Sequence, residues 1–246
     1  MGSYVNPGNS GFAGIRNDVY VDKSGLIGLI NQTIDTPRRL TCISRPRRFG
    51  KSFAAQMLCA YYDRTCDSAC LFDDLLISTE EKYADYLNRY DVIYLDMTGV
   101  IGEAGGADIV SYIKRNVAGE LKKWYPELKA AEGFMATLVN AVELTGNRFV
   151  IIIDEWDAPI RENAGHPGRQ REYLEFLLSL FKNSAATAKV FAAAYMTGIL
   201  PIKKDGSQSA ISDFKEYTMI KPRQFGKYVG FVEEEVKRLC DEFCRD

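Results

Sequence analysis

Four consecutive β-branched residues, Val150, Ile151, Ile152 and Ile153, constrain this chain more than any other stretch. A strand with water on one face alternates apolar and polar side chains. An unbroken apolar run needs cover on both faces, as in a parallel sheet held between layers of helices. The run ends in two acids, Asp154 and Glu155. At a strand end on the surface such charges are simply hydrated, so the pair alone says little about chemistry.

A second feature gives the acids something to act on. Leu40–Ser44 is a short β-prone run, residues 53–62 read as a helix, and Arg45-Pro46-Arg47-Arg48-Phe49-Gly50-Lys51-Ser52 lies between them. Gly-Lys-Ser at a strand-to-helix turn matches the end of a phosphate-binding loop. Backbone N–H groups surround the phosphates there, a lysine reaches the terminal pair and a hydroxyl holds Mg²⁺. The helix start adds unpaired donors and the positive end of the helix dipole. The usual spacing wants glycine five positions before Gly50; Arg45 stands there, so the loop is expected to curve differently. Loop and acids together read as one nucleoside-triphosphate site, with the acids on a strand neighbouring that of the loop. Asp154 binds the metal, directly or through water, and Glu155 polarises an attacking water. The candidate nucleotide contacts are Arg47, Arg48, Phe49, Gly50, Lys51, Ser52, Phe53 and Asp154, with Ser52 and Asp154 as metal ligands.

The rest of the chain alternates between strand and helix signals. Ser24 is a candidate N-cap for a helix carrying Leu26, Ile27, Leu29 and Ile30. Residues 80–88 read as a short helix, and Val92, Ile93, Tyr94, Leu95 and Asp96 as a strand closing on Thr98 and Gly99. A glycine-rich loop at 102–106 precedes a helix over about 109–124, ended by Pro126. Helices follow over 133–144 and 171–181, with a fourth strand at 189–196, a polar loop at 199–213 and a fifth strand at 217–220. An amphipathic helix spans 231–243. This order predicts an α/β fold with a mostly parallel sheet and the ligand at the C-terminal edge of its strands. Thr197, after the fourth strand, falls beside the acids, either as a sensor of the terminal phosphate or as a turn residue.

With 246 residues the chain suits one α/β domain, or a core with a small helical appendage. A net charge of −2 drives nothing toward nucleic acid or anionic lipid, so any such contact must be local. Six cysteines without a Cys-x-x-Cys pair, beside one histidine, read as reduced thiols rather than a metal site. The N-terminus lacks the succession of a signal peptide and no apolar stretch reaches the length of a bilayer span, which predicts a cytoplasmic protein with no membrane contact.

Several segments, in order over nearly the whole chain, resemble a known family. They are Tyr20-Val21-Asp22-Lys23, the loop from Arg45 to Ser52, Leu71-Phe72-Asp73-Asp74-Leu75, Ile153-Asp154-Glu155-Trp156-Asp157-Ala158-Pro159-Ile160, Thr197-Gly198-Ile199-Leu200-Pro201-Ile202 and Gly230-Phe231-Val232-Glu233-Glu234-Glu235-Val236. The family is the predicted bacterial AAA-ATPase-like proteins, in which Arg45 is the usual form of the loop. The resemblance implies a P-loop NTPase of three α/β/α layers, with residues 1–222 as the ATPase-like domain. Residues 223–246 are then the start of a C-terminal helical lid, or a linker to a nuclease-like domain of the PD-D/E-x-K type that many members carry. It further implies ATP and Mg²⁺ as ligands, with catalytic roles for Lys51, Glu155 and Thr197. Arg47 and Arg48 steady phosphates, serve a neighbouring subunit as an arginine finger, or are solvated loop charges. Asp157 either supports the metal site or belongs to the turn before Pro159, and Tyr20 and Lys23 either approach the base or pin the N-terminal segment. The implied activity is Mg²⁺-dependent ATP hydrolysis coupled to conformational change. The alternative is an ATP-gated regulatory module with little turnover, acting on a nuclease-like or nucleic-acid-binding partner.

Overall fold

The computed structural model describes residues 2–129, 131–182, 184–202, 211 and 213–243. Among them, five strands form one parallel sheet: β1 (Leu40–Ser44), β2 (Asp91–Asp96), β3 (Phe149–Asp154), β4 (Phe191–Gly198) and β5 (Lys215–Thr218), in the spatial order β2-β3-β4-β1-β5. The helices are α1 (Ser10–Arg16), α2 (Gly25–Asn31), α3 (Lys51–Tyr62), α4 (Ala69–Phe72), α5 (Tyr83–Tyr86), α6 (Met97–Ala104), α7 (Ile109–Trp124), α8 (Phe134–Thr145), α9 (Ala158–Glu162), α10 (Pro167–Phe181), α11 (Ser184–Val190) and α12 (Glu233–Phe243).

β3 shows why its uninterrupted apolar run is required. Phe149, Ile151 and Ile153 join a core with Val110, Ile113 and Val117 of α7, Leu138 of α8 and Phe176 of α10. Val150 and Ile152, which point the other way, join Leu26 and Ile27 of α2 and Met57, Leu58 and Tyr61 of α3. All six residues of the strand are buried. The result is an α/β three-layer fold with an all-parallel sheet, as expected of a P-loop NTPase.

Two corrections bear on the site. β3 is not the neighbour of β1, because β4 lies between them and pairs with both. Thr98 and Gly99 do not end β2 in a turn. They lie in α6, whose N-cap Asp96 accepts hydrogen bonds from Thr98 N at 3.0 Å and Gly99 N at 3.2 Å. Smaller differences follow the same logic of local capping and context. α10 begins a turn earlier than expected, with Pro167 at its start, and α11 precedes a fourth strand displaced to Phe191–Gly198. Ser24 precedes α2, but its hydroxyl accepts from Ile77 N rather than capping the helix. The polar loop residues Lys203, Lys204, Asp205 and Gly206 lie outside the described residues.

The outer edge of β2 is covered by the N-terminal segment. Val5 forms an antiparallel bridge with Ile93, Asn6 N donates to Val92 O at 2.8 Å, and Tyr94 N donates to Tyr4 O at 2.8 Å. The Glu120 carboxylate of α7 accepts from Ser3, Tyr4 and Val5 N, each at 2.8 Å, and so pins the segment in place.

Candidate functional site

Three strand ends converge at the C-terminal edge of the sheet. β1 delivers the loop that leads into α3, β3 delivers Asp154 and Glu155, and β4, between them, delivers Thr197. The loop turns on two left-handed residues, Arg48 (φ 68°) and Gly50 (φ 73°), the second being the N-cap of α3. Only glycine adopts that conformation without steric cost, so Gly50 lets Lys51 open the helix directly behind the bend. Arg45 does not leave the loop loose. It is buried, its N–H donates to Gly198 O at 3.0 Å, and its guanidinium lies over the Phe49 ring.

The polar groups of the site satisfy one another. Lys51 is buried and its ammonium donates to Pro46 O at 2.9 Å. Burial pulls its pKa down, while Glu155, Asp154 and Asp157 partly offset that shift. Asp154 is buried too. Burial holds its carboxyl above the usual range, against the opposing pull of the nearby Ser52 hydroxyl and of the Thr197 hydroxyl, which donates to it. Thr197 also accepts from Glu155 N at 3.2 Å, which ties β4 to the turn after β3.

Glu155 has φ 52°, a left-handed conformation that costs a non-glycine residue about 1–2 kcal/mol. Its carboxylate meets Arg161 at 2.7 Å and accepts from the Thr98 hydroxyl at 3.4 Å. Arg161 also donates from Nε to Asp157 at 2.9 Å. Fully buried Asp157 accepts from Ile199 N at 3.1 Å and Leu200 N at 2.9 Å, fixing the exit of β4. Tight packing enforces this corner. A Cβ on Gly198 would lie 2.5 Å from Trp156 Nε1 and 2.8 Å from Asp157 Oδ1.

Two adjoining clefts open here. The polar one, ≈ 700 Å³ counted out to its mouth, is lined by Arg47, Arg48, Gly50, Lys51, Ser52, Phe53, Glu155 and Phe231. The apolar one, ≈ 550 Å³ on the same basis, shares Gly50, Phe53 and Phe231 and adds Phe49 with Val19, Tyr20, Val21, Lys23, Ala54, Met57, Tyr228 and Gly230. Lys23 joins its two sides: the ammonium meets the Glu235 carboxylate of α12 at 2.5 Å, donates to Lys227 O at 2.8 Å and lies over the Phe231 ring.

The structure thus brings Lys51, Ser52, Asp154, Glu155 and Thr197 to one place, with Arg47, Arg48 and Phe53 on the wall of the polar cleft and Phe49 on that of the apolar one. Arg161, Thr98 and most of the apolar cleft were not foreseen from the sequence. The spacing of Asp157 and Arg161, four apart, is the one sequence signal that points to their pairing.

Comparison with known proteins places the chain in a family. A sequence-family model described as Predicted AAA-ATPase matches residues 8–207. The chain is also 27% identical, over 237 residues, to an uncharacterized protein in the vnfD 5'region of Azotobacter chroococcum mcd 1. That match covers 92% of this chain and 42% of the relative's length.

Proposed function

The chain belongs to the predicted AAA-ATPase family, and from that premise we propose that it binds ATP with Mg²⁺ across the paired clefts and hydrolyses it. The observation that carries this reading is the convergence of Lys51, Ser52 and Glu155 on one polar cleft that opens into an apolar one. The triphosphate lies over the start of α3, where free N–H groups and the helix dipole favour anions. The adenine enters the apolar cleft between Tyr20, Met57 and Phe231.

The donor set suits Mg²⁺. Among the described residues no group of three His, Cys, Asp or Glu side chains can hold a metal on its own. Mg²⁺ ordinarily takes only one or two protein oxygens and completes its shell with phosphates and water. Ser52 at the start of α3 and Asp154 at the end of β3 supply those two oxygens. Once bound, the ion neutralises charge on the β- and γ-phosphates. Lys51 exchanges Pro46 O for phosphate oxygens, and Glu155 accepts the proton of a water attacking the γ-phosphate in line. Thr197, held between Asp154 and Glu155, keeps the two carboxylates in register.

The test is phosphate release by the purified chain beside nucleotide binding. Glu155→Gln should lower release by about 10²–10⁴-fold while binding of Mg-AMPPNP persists. Equal nucleotide affinity in the native chain and Lys51→Ala would refute the reading.

A second reading, a nucleotide-gated switch, is favoured by one observation. Phe231 lines both clefts and lies two residues before α12, an amphipathic helix with no buried residue. On this reading residues 223–246 form the start of a lid whose position reports the ligand to a partner, nuclease-like or nucleic-acid-binding. Tight binding without phosphate release would favour it, and salt-dependent DNA binding by this chain would bring nucleic acid into it. Among the described residues no helix is long and apolar enough to cross a membrane.

A further inference from the structure

We infer that Arg161 tells a triphosphate from a diphosphate by exchanging partners: it holds Glu155 in the resting chain and moves to the terminal phosphate when one is present. The inference rests on the reading of the polar cleft as a nucleotide site and deepens it.

The geometry of the fork carries the argument. Nε is anchored on Asp157 at 2.9 Å, and Asp157 is itself immobilised by the N–H groups of Ile199 and Leu200. Nη2 reaches the other way to Glu155, at 2.7 Å. Glu155 is partly exposed and lines the cleft with Lys51 and Ser52, whereas Asp157 is sealed in the core. One end of the guanidinium is therefore a fixed pivot, and the other ends on a side chain that faces the cleft.

The exchange fits a pattern shared with Lys51. Two of the site's cations already hold a protein partner that a phosphate can replace: Lys51 has Pro46 O and Arg161 has Glu155. A γ-phosphate offers more negative charge than one carboxylate and accepts a planar guanidinium in the same forked geometry. A diphosphate lacks the group that Nη2 would meet. When Nη2 leaves, Glu155 keeps only the Thr98 hydroxyl and gains a free lone pair for water. Arrival of the third phosphate and release of the base thus become one event.

Calorimetric titration of the full chain with Mg-AMPPNP and Mg-ADP tests this without needing turnover. Arg161→Gln should weaken AMPPNP about tenfold or more, the loss expected of one charge-assisted hydrogen bond, and leave ADP within about twofold. Arg161→Lys keeps a cation beside buried Asp157, so it gives the same readout should the glutamine variant fail to fold. A single ammonium cannot span both partners, and the same selective loss is expected. Glu155→Gln, which frees Arg161, should tighten AMPPNP in the native background and not in Arg161→Gln. Equal losses for both nucleotides, no loss, or equal tightening in both backgrounds would overturn the inference while the site reading stands. A native chain that binds neither nucleotide, like Lys51→Ala, would bring down the site reading and this inference together.

Discussion

The polar and apolar clefts share a wall but are built in different ways. The polar cleft is assembled from the ends of adjacent parallel strands, and the groups at that edge, Lys51, Asp154, Asp157 and Thr197, are buried and each held by a hydrogen bond. The apolar cleft is a seam between segments far apart in the chain, around Val19, Phe53 and Phe231, and all three of these side chains are more than half exposed. The first is a rigid edge whose geometry follows from sheet register. The second is two flaps held by the Lys23–Glu235 contact and a few ring faces. Phosphate chemistry needs the first kind of construction, because misplaced charge loses its effect quickly. A flat base can be held by the second, because stacking tolerates small displacements.

Perturbing each side separately puts this contrast at risk. Lys51→Ala should have the largest effect, weakening Mg-AMPPNP by about 100-fold or more, as read by titration; a small loss would mean that the apolar cleft supplies most of the affinity. Gly198→Ala should destabilise the folded chain by about 1–3 kcal/mol in urea unfolding, because its new methyl group collides with Trp156 and Asp157. An unchanged midpoint would show that the polar corner is not rigid. Phe231→Ala should cost about tenfold in affinity for Mg-AMPPNP and leave thermal stability unaltered, if the exposed ring serves to stack on the base as proposed.

The smallest effect concerns pH. Burial raises the Asp154 carboxyl, so the folded chain binds more protons than the unfolded one between the ordinary carboxylate pKa of about 4 and the raised folded value. Stability therefore falls as pH rises through that window and stays lowered at neutral pH. Asp154→Asn should raise the melting temperature of the nucleotide-free chain at pH 7, with the gain fading below about pH 4. A lower melting temperature at pH 7 would show that the charged carboxylate stabilises the corner instead.

The same contrast explains what could be read from the residues alone. β3 was legible because a strand buried on both faces leaves a continuous apolar run, and β1 because its β-prone residues lead into Gly50-Lys51-Ser52, an order the chemistry demands. α6 was hidden by Gly99 and Gly102, and by the double role of Asp96, which ends β2 and caps the helix in one residue. α1 was hidden in the same way by Gly11 and Gly14, which weaken any helix signal. β4 intrudes between β1 and β3 because strand order is a property of tertiary packing, and no local pattern in either strand records it. Phe231 and Val19 come to one cleft only in the folded molecule, and nothing local in either segment marks that.

The segment pinned along β2 has a practical consequence. The family match begins at residue 8, but the hydrogen bonds that finish that side of the sheet come from Tyr4 and Asn6. A protein cut to the matched boundary would leave β2 with bare amide and carbonyl groups, a template onto which a second molecule can add its own strand. Self-association of such a shortened protein would then reflect the cut and not the way the native chain assembles.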